Sequence, residues 1–210
     1  IHKFGFNADI DAAYEIIWEQ GGALTYPTTA AVASINSASS NSGTEITVQG
    51  LDGNYNEVSD TITLDGSGDG STTQTFLRIN RAFISNNDEL AADVTITVGA
   101  NTLAKVSALH RQTLQCIYTV PDGKAAYLTQ LNASVQEKDK QISMRFFVKE
   151  NHQDSVFRTR DFVTFQTTTF QKTFPVPLRF GPQSDIQLQA ISPDTNTEVS
   201  GNFDLILVDE

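Results

Sequence analysis

The chain has 210 residues and carries 25 Asp and Glu against 14 Lys and Arg, a formal net charge of −11. That charge argues against a general binder of the phosphate backbone, which needs a basic face able to release counterions. Hydrophobic residues make up 39% of the chain and include thirteen Phe, enough apolar surface to form a core without a staple. Cys116 is the lone cysteine, which rules out an intramolecular disulfide and a Cys-based zinc site and reads as a buried thiol. The length suits two β-sandwich domains of roughly 100 residues each, with a single large barrel as the alternative. No apolar run approaches about eighteen residues and no charged-then-apolar leader is visible, so a soluble chain is expected. The sequence begins at Ile1 rather than Met, and an upstream segment is expected to have been removed or to lie outside it.

In chain order, His2 to Asp11 reads as an irregular arm. Ile10 to Gln20 is the one stretch that suits helical turns, with Ile10, Tyr14 and Ile17 or Trp18 three or four apart and Gly21-Gly22 to end them. Ser34 to Gly43 is a polar loop leading into a strand that contains Ile46 and Val48. Val58, Ile62 and Leu64 then alternate with Ser59, Thr61 and Thr63, and Val94, Ile96 and Val98 alternate with threonines, the period of half-buried strands. A boundary is expected near Ala108 to Thr113, after which Leu114 to Val120 reads as a fresh strand.

Beyond it, Ala125, Tyr127, Leu131, Ala133 and Val135 are predicted to share one face, and Ile142, Met144, Phe146 and Val148 the face of the next strand, across a charged turn from Glu137 to Gln141. Phe170, Phe174 and Val176 follow the same rule, as do Ile186, Leu188 and Ala190, and Phe203, Leu205 and Leu207. Asp52-Gly53-Asn54, Asp65 to Gly70 and Pro121-Asp122-Gly123 supply turn chemistry between strands. The predicted fold is all-β: two tandem antiparallel β-sandwich domains, Ig-like or jelly-roll-like, over 31–112 and 113–210, preceded by an irregular N-terminal arm and docking segment over 1–30.

Chemistry-bearing motifs are sparse. His2, His110 and His152 lack the spacing of a zinc site, and there is no nucleophile elbow, P-loop or dinucleotide fingerprint. No catalytic, cofactor or metal residue is assigned. Asp65-Gly66-Ser67-Gly68-Asp69-Gly70 resembles a calcium loop, but Phe76 stands where an EF-hand needs Glu, which favours a Gly-rich hairpin loop. Asn132-Ala133-Ser134 matches a glycosylation sequon inside a strand, and Arg158 and Arg160 form at most a small basic patch, read as a solvated face. Trp18, Tyr26 and Tyr55 are candidates for a sugar-stacking platform, although Trp18 beside Ile16 and Ile17 reads as buried.

The opening His2-Lys3-Phe4-Gly5, with Asn7, Asp9-Ile10-Asp11, Trp18, Gly21-Gly22 and Tyr26-Pro27, resembles virion structural proteins of tailed bacteriophages, marine and cyanobacterial ones especially. The likeness extends through Val48-Gln49-Gly50-Leu51-Asp52, Asn54 to Glu57, Thr61 to Leu64, Phe76-Leu77-Arg78 and Arg81-Ala82. Tyr118 to Pro121, Gly123-Lys124 and Ala126 to Leu128 continue it. The Asp65 loop is longer than that family leads one to expect.

The resemblance implies a non-enzymatic virion part, assembled in the host cytoplasm: a capsid-exterior decoration or fibre-like protein attached to the major capsid protein. Homo-oligomers, a trimer among them, are expected, with neither nucleic acid nor membrane as direct partner. The alternative is a collar, neck or tail adhesion protein with a carbohydrate-binding β-sandwich. Phe4, Phe6, Tyr14 and Trp18 are the anchors expected if the first segment docks on a neighbour.

Overall fold

The computed structural model describes every residue except 137–139, 152–155 and 167. Among the described residues there is no helix. In chain order the strands are β1 (His2–Ile10), β2 (Glu15–Ile16), β3 (Ala31–Ser37), β4 (Glu45–Leu51), β5 (Glu57–Thr63), β6 (Gly70–Phe76), β7 (Arg78–Ile84) and β8 (Val94–Val98). The second half adds β9 (Asn101–Val106), β10 (Ile117–Thr119), β11 (Lys124–Val135), β12 (Ile142–Lys149), β13 (Phe157–Phe165), β14 (Thr169–Phe180), β15 (Asp185–Ile191) and β16 (Thr197–Asp209). Every described pairing between them is antiparallel.

The chain divides into two units in a nested order. Leu24–Leu114 forms one, and Ile1–Ala23 joins Gln115–Glu210 to form the other. The expected N-terminal arm over 1–30 is therefore corrected, because residues 2–10 are a strand hydrogen-bonded along β16, from His2 opposite Asp204 to Ile10 opposite Thr197. Its inward positions are Lys3, Gly5 and Asn7, all buried, while the apolar alternation of Phe4, Phe6 and Ala8 falls on the outward face. The helical turns expected between Ile10 and Gln20 are absent as well. Ile16, Ile17 and Trp18 are buried in succession, without helical period, and a turn follows at Gly21 and Gly22, whose φ values of 71° and 68° only glycine adopts readily.

In the outer-sequence unit, one sheet runs β1-β16-β11-β14 and the other β10-β15-β12-β13. Both contribute to a single core, in which Phe146 of β12 packs edge-on against Phe203 of β16, with ring centres 5.4 Å apart. At one margin Lys172 of β14 donates to Asp161 of β13 at 2.7 Å and Phe165 stacks on Phe170, tying the two sheets together.

The other margin is unusual. β2 and β10 both pair with β15, at Gln189 and Ala190 and at Asp185 to Gln187 respectively, so two distant segments act as one edge strand. They meet at Leu188, whose carbonyl accepts the Ile17 N–H and whose N–H donates to the Cys116 carbonyl, while the Cys116 N–H donates to the Ile17 carbonyl, each bond at 3.0 Å. The inner unit leaves and rejoins the chain at this joint, where Trp18 and Gln115 also bridge.

Room for the joint comes from small residues. Gly5, Gly201 and Ala133 are register partners across β1, β16 and β11. A Cβ on Gly5 would lie 2.1 Å from the Ile17 carbonyl oxygen, and one on Gly201 would lie 2.9 Å from Ile17 Cδ1.

Two expected faces are corrected by bulges. The β11 register shifts between Leu128 and Gln130, so Tyr127 points outward while Ala126 and Leu128 join Leu131, Ala133 and Val135 in the core. In β14, Leu178 pairs with Leu128 and Thr173 with Gln130, so Pro175-Val176-Pro177 is thrown out of register and Val176 is 79% exposed. Proline at an edge cannot donate to a further strand. The turn expected over Glu137 to Gln141 lies outside the described residues at 137–139.

The inner unit contains the sheets β6-β3-β8-β9 and β5-β4-β7, which share a core including Ile35, Ile46, Val48, Phe76 and Ile96. At one margin a single carboxylate joins the edge strands β5 and β6. Asp60 of β5 accepts the N–H groups of Thr73 and Gln74 of β6 at 2.6 and 3.0 Å and the Thr73 hydroxyl at 2.9 Å. Arg78, 4% exposed, donates to the carbonyls of Pro27 and Leu77 and lies 4.3 Å from the Tyr26 ring centre, fastening the first residues of the unit.

Replacing Gly5 by Val is expected to cost about 3 kcal/mol or to prevent folding, because backbone rather than a flexible side chain blocks the new Cβ. Ala8→Val, on an exposed position of the same strand, leaves the urea midpoint unchanged; equal midpoints for the two variants would refute the steric account.

Partial burial opposes ionisation of Asp60, but the N–H groups of Gln74 and Thr73 and the Thr73 hydroxyl outweigh it and hold the carboxyl below the usual carboxylate range. A carboxyl with a depressed folded pKa adds stability above about pH 4 and loses it as pH falls through the folded value. Asp60→Asn is expected to cost on the order of 1–2 kcal/mol at neutral pH. It should also flatten the acid limb of the stability curve; an unaltered acid limb would contradict the linkage.

Candidate interaction surface

Alternation along β1 turns Phe4 and Phe6 to the face opposite Lys3, Gly5 and Asn7, and both remain half-exposed. Phe4 stacks on the His2 ring, with centres 5.6 Å apart, and His2 Nδ1 lies 2.5 Å from Asp204 Oδ1. The register continues Phe4 across the sheet into Asn202, Asn132 and Gln171. Gln130 Nε2 donates to Asn132 Oδ1 at 3.1 Å, and Asn132 Nδ2 donates to Asn202 Oδ1 at 2.7 Å, a relay of amides lying on the sheet. The sequon residue Asn132 thus has its amide engaged within the protein.

Trp18 is 2% exposed and its indole N–H donates to the Gly21 carbonyl at 2.9 Å, so the accessible members of the expected anchor set are Phe4, Phe6 and Tyr14. Tyr14 is not beside the two phenylalanines along the strand. It lies on the second sheet, with its ring centre 3.9 Å from the Arg145 guanidinium carbon.

Arg145 organises that second face. It follows Ser143 and precedes Phe147 and Lys149 on the outward side of β12, while Ile142, Met144, Phe146 and Val148 fill the core. The guanidinium sits between Tyr14 and Phe147, 3.8 Å from the centre of the latter ring. Its Nε donates to Gln189 Oε1 at 2.8 Å, and Gln189 Nε2 donates to Gln187 Oε1 at 2.6 Å, which fixes the acceptor. Partial burial lowers the Arg145 pKa from its usual value, partly offset by Tyr14, yet an arginine stays charged at any working pH.

No carboxylate among the described residues lies within ion-pair distance of Arg145. Phe162, its register partner on β13, is 54% exposed, and Phe147 stacks on Phe157 at 5.1 Å. Lys149 lies 3.7 Å from Asp185, and Arg160 pairs with Glu150. Sequence reasoning missed this face. Its available signal was Phe147, an aromatic residue on the polar side of a strand whose other side is wholly apolar.

The remaining chemical candidates are engaged structurally. Asp65 Oδ1 accepts the N–H groups of Ser67 and Asp69 and the Ser67 hydroxyl, and these bonds, the hydroxyl first, hold its carboxyl below the usual range. The loop is thereby a self-capped turn, with Gly68 at φ 88°. Tyr26 and Tyr55 flank Arg78 at 4.3 and 5.6 Å. His152 lies outside the described residues. No group of three or more His, Cys, Asp or Glu among the described residues is placed to hold a metal ion.

Comparison of the chain with protein-family models, with curated proteins and with solved structures finds no match. Fold and surface together define an all-β, antiparallel protein of two nested units, the outer-sequence unit carrying one amide-rich and one arginine-aromatic sheet face.

Cys116 is fully buried against Gly201, its thiol donating to the Gly201 carbonyl at 3.1 Å, and burial drives its pKa strongly upward. The native chain is expected to resist an aromatic disulfide reagent at pH 8 and to react at once in denaturant; rapid labelling of the native chain would show that the joint opens readily.

Proposed function

We propose that this chain is a non-enzymatic structural component of a tailed-phage virion, a decoration or fibre-like protein on the capsid exterior that attaches to the major capsid protein. We read each unit as a β-sandwich. The observation that carries the proposal is the outward face of β1, where Phe4 and Phe6 stand half-exposed instead of entering the core beneath them. Two phenylalanines beside an imidazole suit an interface core, in which a few aromatic anchors supply most of the energy. The resemblance of the opening residues to virion proteins falls on this same strand. Among the described residues no helix is long and apolar enough to cross a membrane.

A second reading is favoured by the amide relay. Gln130, Asn132 and Asn202, on the same sheet as Phe4, offer donors, acceptors and an aromatic ring on one sheet face, the equipment of a glycan-binding face. On that reading the chain is a collar, neck or tail adhesion protein.

Localisation in purified particles by cryo-electron microscopy separates the two readings. Copies on the capsid lattice with β1 against the shell support decoration, copies at the neck or tail support adhesion, and absence from particles overturns both. The Phe4→Ala/Phe6→Ala double variant is expected to keep its melting temperature within a few degrees and to lose attachment. A large drop in melting would assign both rings to the fold.

A further inference from the structure

Arg145 is held as a ready-made anion receptor. Two rings fix the plane of its guanidinium, Gln189 takes the Nε hydrogen, and the two terminal amino groups make no hydrogen bond with the described residues. A guanidinium so immobilised loses little further freedom on binding, and its remaining edge fits the two oxygens of a carboxylate. Within the described residues this cation has no counterion, in a chain with 25 acidic and 14 basic side chains. Around it lie Phe147, Phe157 and the 54% exposed Phe162, the composition of an interface anchor rather than of a solvated sheet face.

We propose that this face of β12 and β13 is a self-association surface, in which Arg145 receives a carboxylate from a second copy of the chain and Phe162 is buried beside it. Charge complementarity names the occupant: exposed carboxylates such as Asp9, Glu57 and Glu89 are plentiful on the chain, while this face is cationic and aromatic. Charge also sets the symmetry. Pairing the face with itself would bring two uncompensated guanidinium groups together, so the contact is heterologous, and a heterologous contact that closes makes a ring. This inference stands independently of whether the chain belongs to a virion.

The test is sedimentation of the whole chain over a range of concentrations at low and high salt. The wild type is expected to form a closed oligomer of three or more copies that weakens as salt rises. Phe162→Ser and Arg145→Lys, the latter keeping the charge but losing the planar fork, are each expected to weaken it by about tenfold or more. Val176→Ser, which removes another exposed apolar side chain on a different strand, leaves it unchanged. If Arg145→Lys lowers the melting temperature, Phe162→Ser decides, since an exposed ring is not needed for folding. A monomer at every concentration, a twofold dimer, or an oligomer indifferent to both variants would overturn the proposal.

Discussion

Leu188 is where the architecture closes. Two segments nearly a hundred residues apart in sequence meet against it, the end of one at the beginning of the other, and the three hydrogen bonds among Ile17, Cys116 and Leu188 make them one edge of a sheet. The arrangement depends on absent atoms as much as on present ones. Backbone lies directly on Gly5, and Gly201 beside it admits Ile17 and Leu188, so a small-residue row across three strands leaves room for the joint. Leu24–Leu114 then forms its own core from its own two sheets, with Asp60 linking their edges.

Much of the strand content was legible because alternation is a direct trace of a half-buried sheet. Val94, Ile96 and Val98 enter one core, and Ile142, Met144, Phe146 and Val148 enter the other, as their spacing requires. Legibility failed where inward positions are not apolar or where the register slips. β1 does alternate, at Phe4, Phe6 and Ala8, but with that set outward and Lys3, Gly5 and Asn7 inward, the reverse of the usual phase. Tyr127 and Val176 were placed on the wrong face because a bulge reverses the phase without leaving a mark in composition. The nesting was illegible for a different reason: nothing local in residues 2–10 says that their partner is the last strand.

The candidate surface was half legible. Phe4 and Phe6 are the expected anchors of a docking segment and do face outward, whereas Tyr14 acquires meaning only through Arg145, some 130 residues on, which sequence cannot place beside it. The two sheets of the outer-sequence unit thus present chemically different exteriors. One is a lattice of neutral amides bordered by Phe4 and Phe6, and the other a cation framed by rings. Neither exterior is dictated by the core beneath it, since alternation leaves outward positions free to vary.

The pairing of first strand with last has a consequence for synthesis. On the ribosome, β1 emerges about two hundred residues ahead of β16 and finds its partner only when that strand appears, with Ile1 finally donating to the carbonyl of Leu205. Until then β1 is an unpaired edge carrying two exposed phenylalanines, while Leu24–Leu114 already has everything its own core needs. Lys3 and Asn7 make its waiting inner face polar, and inward-pointing polar or charged residues are a known means of discouraging premature pairing at an open edge.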